Sequence, residues 1–341
     1  MPKKKLTSRD IAKMANVSHM TVSRVLNTPE KVHPKSREKV LNIIKRYNYK
    51  IDARGRNLAS KKSNLIALIV PDISNIFYAE LARSIEDKAQ GKGYNITFCS
   101  LENKPERMER YVDIMINAAV DGIIFAGSRL KEPTIEKLID ECYPLVLVNR
   151  KLRGENHNYV VVDNKKGAFK VIEHLINLNY RKIAIISGPS NLSTGYERFR
   201  GFKTALKSSG ITLDKNYIVR GSFTRETGYK GAQKLLTLKN RPDAIFASND
   251  YIAMGVFDAV EELGLRVPED IALVGFDDTV FASNKRINLT TVSQRTYEMG
   301  ELGVDILVDF IENKESTYMH QIILEPKFII RESCGNKLHK R

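Results

Sequence analysis

From Leu65 onward, apolar runs of strand length alternate with amphipathic segments of helix length. This alternation limits what the chain can fold into more than any other feature. The runs are Leu65–Val70, Tyr94–Cys99, Gly122–Phe125, Leu145–Val148, Tyr159–Val162, Lys182–Ile186, Ala244–Ala247 and Ile271–Phe276. They are rich in continuous Val, Ile and Leu instead of alternating apolar and polar residues. Such strands are buried on both faces, as in a parallel sheet covered by helices. So many units exceed one comfortable open sheet. The expected architecture is two Rossmann-like α/β lobes with a cleft between the carboxyl ends of their strands.

The first fifth of the chain follows a different pattern. Ile11, Ala12, Ala15, Val17, Val22, Val25, Leu26, Val40, Ile43 and Ile44 recur at helical spacing and predict a small all-α unit. The first helix runs from about Ser8 to Ala15, with Thr7 as N-cap and Asp10 three residues on, a capping-box-like start. A turn at Asn16-Val17-Ser18 leads to a second helix ending near Asn27, where Thr28-Pro29-Glu30 breaks it. A third helix runs from about Pro34 to Tyr47, and Pro34 suits a first helical turn.

Charge is concentrated in this part. Residues 1–62 hold 17 Lys/Arg against 4 Asp/Glu, whereas the other 279 residues hold 38 against 36. Nearly all of the net +15 therefore sits on the head, which implies a polyanionic partner. Two short helices joined by a tight turn place one helix across a DNA backbone and the next in the major groove. On the second helix Val22, Val25 and Leu26 face inward, leaving His19, Met20, Thr21, Ser23 and Arg24 outside. Arg24 suits a bidentate guanine contact. Thr7, Ser18, Thr21, Ser23 and Asn27 are short donors suited to phosphate oxygens. A helical hairpin for protein contact is the competing reading of the same pattern.

Other function classes find little support. No apolar run reaches the ~18–20 residues of a membrane span. Met1-Pro2-Lys3-Lys4-Lys5-Leu6 lacks an apolar signal region, so secretion is not expected. Cys99, Cys142 and Cys334 are odd in number and far apart, which fits a reducing cytoplasm and no metal site. The six histidines are scattered, and no GxGxxG after a strand, P-loop, HExxH or GxSxG occurs. Neither catalysis nor a cofactor is expected.

Thr7-Ser8-Arg9-Asp10-Ile11-Ala12-Lys13-Met14-Ala15-Asn16-Val17-Ser18, followed by Thr21-Val22-Ser23-Arg24-Val25-Leu26-Asn27, resembles the signature of the LacI/GalR family of bacterial transcriptional regulators. The resemblance continues through Arg56-Asn57-Leu58-Ala59-Ser60, Val70-Pro71-Asp72-Ile73-Ser74-Asn75, Ser248-Asn249-Asp250 and Val274-Gly275-Phe276-Asp277-Asp278. It implies a helix-turn-helix head, residues 1–49, and a hinge, 50–63. An effector-binding and dimerisation domain, 64–341, with a periplasmic-binding-protein-like core would follow. One lobe would comprise about 64–161 plus 291–318, and the other about 162–290 plus 319–332. The chain would cross between lobes near Val162, Leu289–Val292 and Tyr318.

The resemblance further implies that Thr7 and Ser8 join the DNA contacts and that His19 and Met20 choose operator bases. Arg56, Asn57, Leu58 and Ala59 would enter the minor groove, with Leu58 wedged between base pairs. Arg54-Gly55-Arg56 stands where the family often has Ala or Val, and glycine weakens a helix by about 1 kcal/mol relative to alanine. The protein would be a cytoplasmic, nucleoid-associated homodimer on palindromic double-stranded operator DNA, and a repressor answering to a sugar or related metabolite.

The residues at strand ends suit such an effector. They are Asp72, Ser74, Asn75, Phe77 and Tyr78, then Asn149 and Arg150, then Arg198, Phe223, Asn249, Asp250 and Asp277. Carboxylates, guanidiniums and amides pair with hydroxyls, while aromatic rings cover a sugar's C–H face. Some have plainer uses: Arg198 and Asp277 as an inter-lobe ion pair, Asn249-Asp250 as a helix cap, Phe77 and Tyr78 as core. An alternative function is carbon-catabolite control with a phosphorylated carrier protein as corepressor. Against it, Tyr297–Ile311 carries Glu298, Glu301, Asp305 and Asp309 and no basic residue, and acid repels a phosphoprotein.

Overall fold

The computed structural model describes residues 6–47, 49, 62–154, 156–313 and 319–336. Between Ser63 and Asn64 the chain divides into two compact units. The smaller holds α1 (Ser8–Ala15), α2 (His19–Asn27) and α3 (Pro34–Arg46). Thr7 and Asp10 form the capping box: Thr7 Oγ1 accepts from the Asp10 N–H at 3.3 Å, and the Asp10 carboxylate accepts from the Thr7 N–H at 2.8 Å. Asn16 ends α1 in a left-handed conformation at φ 51°, one that asparagine tolerates better than most residues. Ser18 then caps α2, accepting from the Thr21 N–H at 3.0 Å. Ile11, Ala12, Ala15, Val22, Val25 and Val40 are buried together, with Val17, Leu26, Ile43 and Ile44 packed against them. The core is the set that helical spacing selects. Of the hinge, only Lys62 and Ser63 are among the described residues.

The larger unit contains two parallel sheets. The six-stranded sheet uses β1 (Leu65–Val70), β2 (Asn95–Ser100), β3 (Gly122–Phe125), β4 (Leu145–Val148), β5 (Tyr159–Val162) and, out of sequence, Gln321–Leu324, in the spatial order Gln321–Leu324, β5, β4, β3, β1, β2. The second sheet has four strands, in the order Ile218–Arg220, Ile183–Ser187, Ala244–Ala247, Ala272–Val274. Helices cover both: Ile66, Leu68 and Val70 pack with Phe77, Leu81 and Ile85 on one face of the first sheet, and Ala67 and Ile69 with Met108, Val112 and Leu138 on the other. β1, β3, β4 and β5 are thus buried on both faces, the reason they read as continuous apolar runs, while the edge strand β2 is largely half-exposed or exposed.

The lobe boundaries differ from expectation at the carboxyl-terminal end. Gln321–Leu324 was assigned to the second lobe, but it pairs parallel with Tyr159–Val162 as the edge of the first lobe's sheet. Its run of three apolar residues is too short to stand out in the sequence. Thr291–Ser293 was assigned to the first lobe. It pairs antiparallel with Lys327–Ile329 and is bridged to the second lobe through Val274–Thr290 and Asp277–Ser293. The crossings therefore fall at Asp163, at Gln294–Arg295 and at Glu325–Pro326. Tyr318, the expected third crossing, lies outside the described residues.

Candidate functional sites

On the head, α2 presents two faces. Val22 and Val25 are buried, whereas His19, Met20, Ser23 and Arg24 are exposed and Thr21 is half-exposed. Met20 is 65% exposed, an unusual position for a large apolar side chain with no packing role, although α2 is otherwise amphipathic in the ordinary way. Ser8 Oγ lies 2.9 Å from the His19 ring nitrogen and ties the start of α1 to the start of α2. Three expected phosphate donors have local partners: Thr7 Oγ1 donates to Asp10 at 2.7 Å, and Ser18 Oγ and Thr21 Oγ1 lie 2.8 Å apart. Arg56, Asn57, Leu58 and Ala59 lie outside the described residues, as does the side chain of Asn27.

In the larger unit the strand-end residues converge. Asn75, Phe77, Tyr78, Asn149, Arg150, Arg198, Phe223, Asn249 and Asp277 line one small cavity of about 20 Å³ between the lobes. Thr194 and Gln294 line it too, and neither was expected. A second, larger chamber of about 170 Å³ adjoins it and shares Arg150 and Phe223. The lobes are joined across the rim: the Leu130 N–H donates to Asn191 O at 2.8 Å, and the Lys151 N–H to Ser193 Oγ at 3.1 Å.

Arg198 organises the floor. It stands on the helix Ser193–Ser208 and is 2% exposed. Its Nε donates to Asn164 Oδ1 at 2.8 Å and its Nη1 to Ser248 O at 2.6 Å, and Nη1 lies 3.3 Å from Asp277 Oδ1. The guanidinium carbon sits 3.8 Å from the Phe276 ring centroid. Gln294 Nε2 donates to the same Asp277 oxygen at 2.6 Å. Arg198 and Asp277 belong to one lobe, so their pair is not the inter-lobe bridge considered above. Burial pushes the Asp277 carboxyl up to about 7, with the nearby Asp250 adding to the rise and Arg198 and Gln294 opposing it. Burial likewise lowers Arg198 from the ordinary guanidinium range. Asp277 also holds φ at 133°, a strained backbone of the kind that gathers at ligand sites.

Three expected residues do not line the cavity. Asp250 is buried, with one oxygen accepting from Thr291 Oγ1 at 2.7 Å and the other from the Thr279 N–H and hydroxyl at 2.9 and 3.1 Å. It fastens the strand Thr291–Ser293 to the loop after Asp277. Asp72 accepts from the Ser74 N–H at 2.9 Å and from Asn103 Nδ2 at 2.7 Å, a loop-shaping role that accounts for both. Asn249 caps a helix, accepting from the Ile252 N–H at 2.8 Å, and Asn75 does the same for Phe77 at 3.1 Å. Each also lines the cavity, so the capping and binding readings coincide. Phe77 and Tyr78 are both core and wall, meeting edge to face at 5.2 Å. Phe223 needs Gly188 beneath it, because a Cβ there would come within 2.2 Å of the ring.

Among the described residues six buried side-chain polar atoms have no hydrogen-bond partner in the protein; His157 Nε2 and Asn336 Oδ1 lie elsewhere, and the other four are Arg150 Nε, Thr194 Oγ1, Gln294 Oε1 and Ser128 Oγ. All four residues line one or both chambers. Buried polar groups are nearly always satisfied, so these four make the cleft a candidate site for a polar ligand.

A helix-turn-helix head on a two-lobed binding domain defines a ligand-responsive regulator of DNA. The comparisons with known proteins agree. Residues 7–52 match the model of bacterial regulatory proteins of the lacI family, and residues 172–334 match a periplasmic binding protein-like domain. Catabolite control protein A of Priestia megaterium is 36% identical over 329 residues, 96% of this chain and 99% of that protein. A solved complex of the transcriptional regulator CelR with cellobiose is 29% identical over 96% of this chain and 99% of that one, at a TM-score of 0.74. The Lac repressor dimer bound to operator and the anti-inducer ONPF is 26% identical over 97% of this chain and 99% of that one, at a TM-score of 0.86. The chain belongs to the lacI family of bacterial regulatory proteins. It is a DNA-binding transcriptional regulator. Among the described residues no helix is long and apolar enough to cross a membrane.

Proposed function

We propose that this regulator is a homodimeric repressor of carbohydrate-metabolism genes whose affinity for a palindromic operator is set by a sugar or related small metabolite. The observation that carries the effector half is the set of four unsatisfied polar atoms around the cleft. A hydroxylated ligand supplies the missing donors and acceptors, and Phe77, Tyr78 and Phe223 supply apolar faces. The carbohydrate assignment is supported by a relative solved with cellobiose.

On the DNA side α2 enters the major groove. Arg24 contacts guanine, and His19 and Met20 select bases, Met20 through the kind of apolar contact a thymine methyl offers. Thr7, Ser8, Ser18, Thr21, Ser23 and Asn27 approach the phosphates. Arg56, Asn57, Leu58 and Ala59 read the minor groove, with Leu58 as the wedge. A two-fold dimer matches the two half-sites of a palindrome. The effector shifts operator affinity only by its own preference between two states, typically ~1–3 kcal/mol.

The alternative of a phosphoprotein corepressor gains little from the surface it would use. On Thr296–Glu312, Glu298 pairs with Arg295 at 2.6 Å, and Asp305 pairs with Lys88 and Lys92 at 2.8 and 3.1 Å. The two lysines are already occupied by acid. The test is operator binding by fluorescence anisotropy, after selection of a palindrome from random duplexes, with and without neutral sugars and sugar phosphates. A compound that moves affinity about tenfold, about 1.4 kcal/mol, supports the reading. Operator binding indifferent to every compound overturns the effector half.

A further inference from the structure

The charges in the cleft do not balance. Arg150 is 8% exposed, follows β4, and lines both chambers. Among the described residues it has no ion-pair partner within 4 Å, and its Nε has no hydrogen-bond acceptor. Its guanidinium carbon lies 5.7 Å from the Phe223 ring centroid, a weak cation–π contact, and the carboxylates around it are engaged elsewhere. Arg198 is a second cation close by, and Asp277 is already shared between Arg198 and Gln294. Asp250 and Asp72 spend both oxygens elsewhere, as described above, and Glu132 in the outer chamber is held by Arg129 through two bonds of 2.8 and 2.7 Å. Asn149, the residue beside Arg150, is an uncharged amide. A guanidinium this buried is ordinarily paired, because removing a charge from water is costly.

A second feature points to the same spot. The helix Ser193–Ser208 begins at the cleft, where Leu192 stands at the N-cap and offers no side-chain acceptor to the first turn. Leu192 lines the outer chamber and Thr194 the inner one. A helix of this length presents N–H groups and partial positive charge at its start. The Thr194 and Ser128 hydroxyls stand with it and lack partners.

From this juxtaposition, and resting on the effector reading above, we propose that the natural ligand is a hydroxylated anion, a sugar acid or sugar phosphate. Its charged group is received at the junction of the two chambers by Arg150 and the start of the Ser193–Ser208 helix. Carboxylate and phosphate share the chemistry: each accepts two parallel N–H bonds from a guanidinium.

The experiment is calorimetric titration of the full chain with glucose, gluconate, glucuronate, glucose 6-phosphate and inorganic phosphate, repeated with ribose and ribose 5-phosphate. At least one sugar anion is expected to bind tenfold or more tightly than its neutral counterpart. The carboxylate and phosphate arms then identify which anion the junction takes. Arg150→Gln should abolish that preference, whereas Arg150→Lys should keep part of it, with thermal melting confirming that both variants fold. Equal binding of neutral and anionic members overturns the anion proposal and leaves the effector reading intact. A preference that survives Arg150→Gln also overturns it. Binding of inorganic phosphate as tightly as of glucose 6-phosphate would reduce the junction to an ion site and overturn the ligand class. Binding of none of these compounds, together with an operator affinity that none of them moves, counts against both readings.

Discussion

Asp277 gives the most demanding prediction. Its carboxyl is pushed from an ordinary 3.8 to about 7 in the folded protein. The folded state therefore holds a proton that the unfolded chain releases, and stability falls as pH rises between those two values. A gap of about three pH units, at about 1.4 kcal/mol each, amounts to roughly 4 kcal/mol. The contribution is fully present below about pH 4 and gone above about pH 7. Asp277→Asn keeps an oxygen that accepts from Gln294 Nε2 and Arg198 Nη1 but cannot ionise. Urea denaturation of both proteins, followed by circular dichroism from pH 4 to pH 8, isolates the effect as a difference. The variant should gain on the wild type by up to roughly 4 kcal/mol between pH 4 and pH 7, and the difference should then level off. A difference that stays flat, or a wild type that gains on the variant as pH rises, would mean that Arg198 keeps Asp277 ionised throughout. That result would refute the argument that burial outweighs the ion pair.

Arg24→Ala should weaken binding to the preferred operator by about 1–3 kcal/mol and flatten selectivity at one base pair per half-site; equal weakening on random duplex DNA, measured by anisotropy, would exclude a base contact. Thr7→Ala removes half of a capping box and should cost the head about 1 kcal/mol, visible as earlier melting; an unchanged melt would show that the cap contributes little. Gly188→Ala should drive Phe223 from its position, since the new Cβ would meet the ring at 2.2 Å. Effector affinity should fall at least tenfold with operator binding intact, and an unaltered calorimetric titration would place the ligand away from Phe223.

The sequence was most legible where one physical signal acted alone. Leu65–Val70 and Ala244–Ala247 are buried on both faces, so their composition fixed both their type and their extent. Thr7, Ser18 and Pro34 announced helix starts through caps and a proline whose chemistry is local. Ile218–Arg220 and Gln321–Leu324 escaped notice because edge strands are short and half-exposed, and carry a weaker apolar signature. Gln294 and Thr194 escaped for another reason. A lone amide or hydroxyl has no sequence signal of its own, and only the returning chain carries Gln294 to Asp277. Asp250 illustrates the converse. Its place after a strand was read correctly, but adjacency in sequence could not show that Thr279 and Thr291 would take both of its oxygens.

The crossings at Asp163 and at Gln294–Arg295 pass within one bond of the binding floor. Arg198 holds Asn164, the first residue beyond the first crossing, and Asp277 holds Gln294, which lies in the second. A group that pulls on Arg198 or Asp277 would therefore pull on two of the three segments that join the lobes. In mechanical terms a ligand held by Arg198 and Asp277 would sit beside the crossings, not at the outer rim of the lobes. Exchange of a single hydrogen-bond partner at Asp277 would be felt directly at the second crossing, through Gln294.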